Sequence, residues 1–189
     1  MDVPQLDSKN ENHQGDRVDR VLREWRQRRP DLDFSSLDVV TRVLRAAHFL
    51  QGHLDAVAAA YGLSHTGDLD VLTNLDRVGP PFERTPSELA DLQLVTAGGM
   101  TVRLNRLQRA GLIERRPNPR DGRGVLVRLT PRGQQVADDA LTTLIETQEV
   151  DIGGLDASQR DLLAGLLREM LLKLGDAPAF RPKVALERE

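Results

Sequence analysis

The chain has 189 residues, of which 39% are apolar, 29% charged and 3% aromatic, a composition typical of a globular protein large enough to bury a core. It contains no cysteine, which excludes disulfides, thiolate metal sites and cysteine nucleophiles. The net charge is −3, but residues 96–133 hold nine arginines against two acids, a local charge of +7. A basic patch on an acidic body favours a nucleic-acid partner.

The chain shows no sign of export, membrane insertion or catalysis. Residues 1–16 lack the basic and apolar regions of a signal peptide, and no stretch approaches 18 consecutive apolar residues. We therefore expect a cytoplasmic protein with no membrane partner. Neither a glycine-rich phosphate loop, a metal-ligand cluster nor a catalytic grouping occurs at a useful spacing. We expect no enzyme, no metal and no cofactor.

Three helices are predicted in the first part of the chain, after a disordered tail. Apolar residues at helical spacing predict a first helix over 16–28. A second, long helix is expected to start at a cap on Ser35 and to reach about Tyr61. Ser64 is expected to open a third helix that ends near Val78, before a Gly-Pro-Pro segment.

The next elements predict a helix-turn-helix. Thr85-Pro86-Ser87-Glu88 is a capping box with proline at the first helical position, and it opens a short helix over 86–92. After a brief break, Thr96 caps a longer helix that runs to about Ala110. A short helix, a tight turn and a longer helix are the pattern of a helix-turn-helix.

The spacing of apolar residues then changes from helical to strand-like, which predicts a wing. Residues 112–116 and 125–129 are strand-like, and the segment 117–124 between them is rich in Gly, Pro, Asn and Asp. The two strands should form a β-hairpin with arginines at its tip. The fold class is thus mainly α with a small β-hairpin wing, a winged helix-turn-helix.

Two helices follow, over 131–149 and 157–174, and the last carries more apolar surface than the winged core could cover. We expect a homodimer with interlocked N- and C-terminal helices. The expected organisation is a disordered tail, N-terminal dimerisation helices, a DNA-binding lobe, C-terminal dimerisation helices and a loose tail, at residues 1–15, 16–62, 63–133, 134–175 and 176–189.

The helix over 96–110 has a face suited to the major groove of DNA. Met100, Leu104 and Leu107 define its buried side, which leaves Thr101, Asn105, Gln108 and Arg109 on the far side and Arg106 at the edge. Asn and Gln pair with adenine and Arg with guanine, while wing arginines suit a narrow minor groove. The predicted DNA contacts are Ser87, Thr96, Thr101, Asn105, Arg106, Arg109, Arg120 and Arg123.

The segment from Thr85 to Gly133 resembles the winged helix-turn-helix of MarR-type bacterial transcription regulators. The most specific part is Gly111-Leu112-Ile113, then Asp121-x-Arg123, then Leu129-Thr130-x-x-Gly133. The resemblance covers about residues 16–174. It implies a homodimeric repressor on a palindromic duplex, with Arg123 in the minor groove and Asp121 supporting the wing.

Four residues also match the urate-responsive branch of that family: Trp25, Asp70, Arg103 and Arg115. The resemblance implies that they line a pocket between the dimer body and the DNA-reading lobe. An anionic aromatic effector such as urate or a phenolic acid would bind there and release DNA. Helical spacing supports this role for Arg103, because it places the residue near the buried face of its helix. A guanidinium there needs an acceptor, and Asp70 is a candidate.

Plainer roles remain open for each of these residues. Trp25 lies on an apolar helix face, where packing in the dimer explains it. Asp70 and Arg103 would equally form a permanent salt bridge, and Arg115 would equally contact a phosphate. The alternative function is a winged helix used for protein–protein assembly without a ligand response, since a fold does not fix a function.

Overall fold

The computed structural model describes residues 15–119 and 121–176, and of residues 121–123 the backbone alone. The elements of these residues, in chain order, are α1 (Arg17–Arg28), α2 (Ser35–Ala60), α3 (Thr66–Asp76), β1 (Glu83–Arg84), α4 (Pro86–Leu92), α5 (Ala97–Arg109), β2 (Ile113–Asn118), β3 (Asp121–Leu129), α6 (Pro131–Asp151) and α7 (Ala157–Lys173). None of the helices in these ranges is long and apolar enough to cross a membrane.

The predicted helices are all present, but two of their starts differ from the prediction. Ser35 is not a cap: Phe34 occupies the cap position without a side-chain hydrogen bond, and the Asp33 carboxylate accepts from the backbone N–H of Ser35. The third helix begins at Thr66, because Nδ1 of His65 accepts from Gly67 N at 2.8 Å and so caps it. A capping histidine has no strong sequence signal, since Ser, Thr, Asp and Asn dominate caps.

The sheet has one strand more than predicted. Its order is β1-β3-β2, and both pairs are antiparallel. β1 has two residues, too few for an alternating pattern to show in the sequence. The hairpin is also tighter than expected, because β2 runs to Asn118 and β3 begins at Asp121.

The core belongs to the winged lobe. It is built by α3, α4, α5, the sheet and the first half of α6, with Leu69, Leu72, Leu75, Leu89, Met100, Leu104, Leu107 and Val127 among its fully buried side chains. The long α2 adds Val57 and Ala58 from its C-terminal end, whereas α7 has no buried residue. The core therefore supports α4, α5 and the β2–β3 hairpin.

The junction between β3 and α6 depends on Gly133. Thr130 caps α6 by accepting from Gly133 N at 3.0 Å, and its own hydroxyl donates to the carbonyl of Gly111. This draws the first turn of α6 against the residues that precede β2, so that a Cβ at position 133 would lie 1.8 Å from the carbonyl oxygen of Leu112. Only glycine fits there without a backbone shift.

We predict that Gly133→Ala lowers the free energy of unfolding by about 1–3 kcal/mol, the usual cost of overpacking. Gly98→Ala is the matched control, since a Cβ at Gly98 meets nothing within 4 Å. Chemical denaturation of both variants measures the difference. Equal stability of Gly133→Ala and the unsubstituted protein would contradict the close approach.

Candidate nucleic-acid interface

The helix-turn-helix consists of α4 and α5 with a turn between them. α4 starts at the expected capping box, in which Glu88 N donates to the hydroxyl of Thr85 and the Glu88 carboxylate accepts from Thr85 N. Thr96 caps α5 by accepting from Gly99 N at 3.1 Å. The turn is fixed by a hydrogen bond from Val95 N to the carbonyl of Ala90 at 3.1 Å. Local bonds therefore set the angle between the two helices.

The structure confirms which side of α5 is buried. Met100, Leu104 and Leu107 are each 1% exposed. The outward residues Thr101, Asn105, Gln108 and Arg109 are all exposed. A helix face with amide and guanidinium groups in solvent, carried on a rigid support, is suited to reading base edges.

Arg106 has a structural partner that the sequence does not indicate. Its Nε and NH2 atoms each donate to the Asp68 carboxylate of α3 at 2.6 Å, so the guanidinium is occupied by a bidentate ion pair. The Asp68 side chain is 1% exposed, whereas that of Arg106 is 34% exposed. The hydrogen bond from Asp68 raises the pKa of Arg106. In this arrangement the Nε–NH2 edge of the Arg106 guanidinium holds α5 against α3.

Arg103 also points towards α3. Its NH1 donates to the side-chain oxygen of Gln93 and lies 3.5 Å from the carbonyl of Gly67. A Cβ on Gly67 would overlap the guanidinium, so glycine is needed for this approach. No ion pair joins Arg103 to Asp70 among the described residues, so the alternative of a permanent salt bridge between them is not what the structure shows. Burial raises the pKa of the half-buried Asp70 carboxyl, and the charges of Arg103 and His65 oppose that rise.

The first residues of α3 connect the long helix to the recognition helix. On one side, the Asp55 carboxylate of α2 accepts from Thr66 N at 3.1 Å. On the other side, Arg103 and Arg106 of α5 contact the next two residues of α3. We call residues 66–68 the α3 junction. It is a continuous polar path from α2 to α5.

The wing strand β2 contacts the recognition helix through Arg115. Its NH1 donates to the side-chain oxygen of Gln108 at 2.6 Å. The neighbouring Arg116 forms an ion pair with Glu83 of β1. At the tip, Arg120 and the side chains of Asp121 and Arg123 lie outside the described residues, so their predicted roles stay predictions. On α4, Ser87 is exposed beside the wing.

The four residues of the predicted effector site are spread over three places. Trp25 on α1 is 47% exposed and stacks on Phe34, with ring centroids 6.2 Å apart. Asp70 and Arg103 lie near the α3 junction, within electrostatic range of each other. Arg115 binds Gln108 on the wing side. Trp25 makes no hydrogen bond or ring contact with the other three in the described part of the chain.

Sequence reasoning missed Asp68, Gln93 and Val102. Asp68 looks like an ordinary acidic residue in the first turn of a helix, and its partner is 38 positions away. Gln93 sits in the turn between α4 and α5, where no pattern marks it. Val102 is 57% exposed on α5. The helical spacing that placed Asn105 outward could have identified Val102 as well.

A helix-turn-helix on a packed core, followed by a β-hairpin beside the second helix, defines a winged helix-turn-helix protein. Comparisons with known proteins agree. The model of the MarR family matches residues 61–124. The transcriptional regulator PecS of Dickeya dadantii is 29% identical over 150 residues, which are 79% of this chain and 90% of PecS. The transcriptional regulator MT0903.1 of Mycobacterium tuberculosis is 31% identical over 110 residues, 58% of this chain and 75% of that protein.

A solved structure adds a DNA complex to these relatives. A MarR variant of Escherichia coli complexed with operator DNA superposes with a TM-score of 0.63 at 26% identity, over 73% of this chain and 97% of the other. The chain belongs to the MarR family of DNA-binding transcriptional regulators. Like the relatives named above, it is a transcriptional regulator.

We predict that the two halves of the buried ion pair respond unequally to substitution. Arg106→Ala strands a buried carboxylate and should cost about 3–5 kcal/mol of unfolding free energy. Asp68→Asn keeps the shape and leaves the half-exposed Arg106 open to water, so it should cost about 1–1.5 kcal/mol. Urea denaturation at neutral pH measures both. A larger loss for Asp68→Asn would contradict the assignment of the carboxylate as the buried partner.

Proposed function

We propose that the protein is a homodimeric repressor that binds a palindromic duplex and leaves it when a small anionic aromatic effector binds. Each α5 enters a major groove and each wing an adjacent minor groove. The observation that carries this proposal is the division of α5 into two faces. Arg103 and Arg106 hold the helix on α3, while Asn105 and Arg109 stand in solvent.

The proposed DNA contacts follow from this division. Asn105 and Arg109 read bases, since amide and guanidinium groups form bidentate pairs with adenine and guanine. Ser87 and Thr96 supply hydroxyls along the same surface, to phosphates or bases. The hydroxyl of Thr101 donates to the carbonyl of Ala97, so its oxygen is offered to DNA as an acceptor for a base amino group. Arg120 and Arg123 reach the minor groove from the wing tip, with Asp121 supporting it. Arg106 stays in this set as an edge contact, because its pair with Asp68 leaves other N–H donors of the guanidinium.

The dimer is proposed from the apolar residues that α2 and α7 leave in solvent. The long helix α2 exposes Leu44 and Phe49, and α7 exposes Leu162 and Leu166, each by more than half. Such large exposed apolar faces on one monomer indicate an interface. A twofold axis through these helices would give two copies of α5 for the two halves of a palindrome.

We predict that DNA affinity falls steeply with salt, since each neutralised phosphate adds about 0.9 to the slope of log K against log salt.

Arg123→Ala should lower affinity for every duplex, whereas Asn105→Ala and Arg109→Ala should each relax the preference at one base pair by about 1–3 kcal/mol. Fluorescence anisotropy on duplexes enriched from a random library measures these effects, with two chains expected per duplex.

Arg20→Ala is the matched control, because Arg20 is a highly exposed arginine on α1, away from the interface. It should change neither affinity nor base preference. The proposed interface would be wrong if affinity were insensitive to salt, or if the α5 variants behaved like Arg20→Ala.

The effector proposal rests on polar groups that lack a full set of partners. Nε2 of Gln93 is buried and finds no acceptor within the described ranges, although its side-chain oxygen accepts from Arg103. Asp70 is half-buried, and burial raises the pKa of its carboxyl. An anion beside Arg103 would satisfy the free amide donor, repel Asp70 and shift α5. The exposed ring of Trp25 offers a stacking face for a planar ligand, and Arg115 a second cation.

We predict that urate or a phenolic acid such as salicylate causes saturable quenching of Trp25, the chain's single tryptophan, and releases the selected duplex. Arg103→Ala should abolish both effects. Fluorescence titration, corrected for absorption by the ligand, measures the first. Quenching that survives in Arg103→Ala, or no saturable change with either ligand, would overturn the assignment of this site.

A further inference from the structure

We propose that Val102 determines sequence specificity by contacting the C5-methyl group of a thymine in the major groove. The inference rests on the proposed DNA interface and adds to it the kind of base that the N-terminal half of α5 selects. Val102 would add an apolar contact with a base to the polar contacts that Asn105 and Arg109 make.

Val102 lies at the centre of the outward face of α5. With about 100° per residue, it stands opposite the buried side that Met100, Leu104 and Leu107 define. It is 57% exposed, with Asn105 and Arg109 beside it on the same face. A helix that enters the groove with Asn105 and Arg109 therefore brings Val102 to the bases as well.

The surface on the N-terminal side of Val102 is open. Gly98 lies one helical turn before it, and a Cβ at Gly98 would meet nothing within 4 Å. On the neighbouring flank, the hydroxyl of Thr101 donates to the carbonyl of Ala97 at 2.8 Å. The proton of this hydroxyl is thus used inside the helix, so Thr101 has no hydroxyl donor left to offer beside Val102.

Packing gives no reason for this arrangement. Glycine in a helix costs about 1 kcal/mol relative to alanine, yet nothing inside the protein fills the space beside Gly98. A single exposed valine is common on protein surfaces. An exposed valine beside a glycine that no internal packing requires, on the helix that meets DNA, indicates close approach of an apolar partner from outside.

Thymine is the base that offers such a partner. In the major groove it alone presents a methyl group, whereas cytosine presents an amino donor at that edge. A valine against the cytosine amino group would leave that donor without an acceptor, and a valine against the thymine methyl buries apolar surface on both sides. The side chain therefore selects thymine by attraction and disfavours cytosine by an unpaired donor.

The test uses the full chain and a duplex enriched from a random library. Thymines are replaced one at a time by deoxyuridine, which removes only the methyl group. At one thymine per half-site, the unsubstituted protein should lose about four-fold in affinity, the value of one buried methyl group. Val102→Ala should bind the unaltered duplex more weakly and show no loss at that same thymine.

Val78→Ala is the matched control, because Val78 is an exposed valine in the turn after α3, outside α5 and the wing. It should keep the full methyl dependence. The inference is overturned if Val102→Ala retains the methyl dependence, or if no thymine methyl matters to the unsubstituted protein. Failure to enrich any duplex would overturn the DNA interface itself, and the inference with it.

Discussion

The buried carboxylate of Asp68 is the constraint on which the arrangement of the DNA-reading lobe depends. A carboxylate this far from water needs a cation, and Arg106 of α5 supplies it through two hydrogen bonds of 2.6 Å. The pair fixes the distance and the rotation of α5 on α3. Arg103 adds a second attachment next to it, on Gly67 and Gln93. The recognition helix is therefore held by charge as well as by its apolar side.

The same junction reaches the long helix α2. Thr66 binds the Asp55 carboxylate of α2, and the next two residues of α3 bind α5. A shift between α2 and α3 would thus move α5 through polar contacts, which have strict geometry. A ligand near Asp70 and Arg103 would act on this path directly, and this is the physical basis of the proposed release from DNA. The domain boundaries and the dimer of this chain remain predictions.

Much of the lobe was predictable from sequence, since its signals are local. Both helices of the helix-turn-helix were predicted from their caps at Thr85 and Thr96. The buried side of α5 was predicted from the helical spacing of its apolar residues, Met100, Leu104 and Leu107. Contacts between distant positions were not predictable. In the sequence, Arg106 is an arginine at the edge of the outward face of α5, as expected of a residue that contacts DNA. Only the fold shows that its guanidinium is paired with the Asp68 carboxylate.

The central claim is that the outward face of α5 lies in a DNA groove. The most direct measurement places a photo-cross-linking phenylalanine analogue at Asn105, or at the exposed Gln135 of α6 as a control, and irradiates each protein on the selected duplex. The account predicts cross-links from position 105 to bases within the half-site and none from position 135. Equal cross-linking from both positions, or cross-linking from position 135 alone, would contradict it.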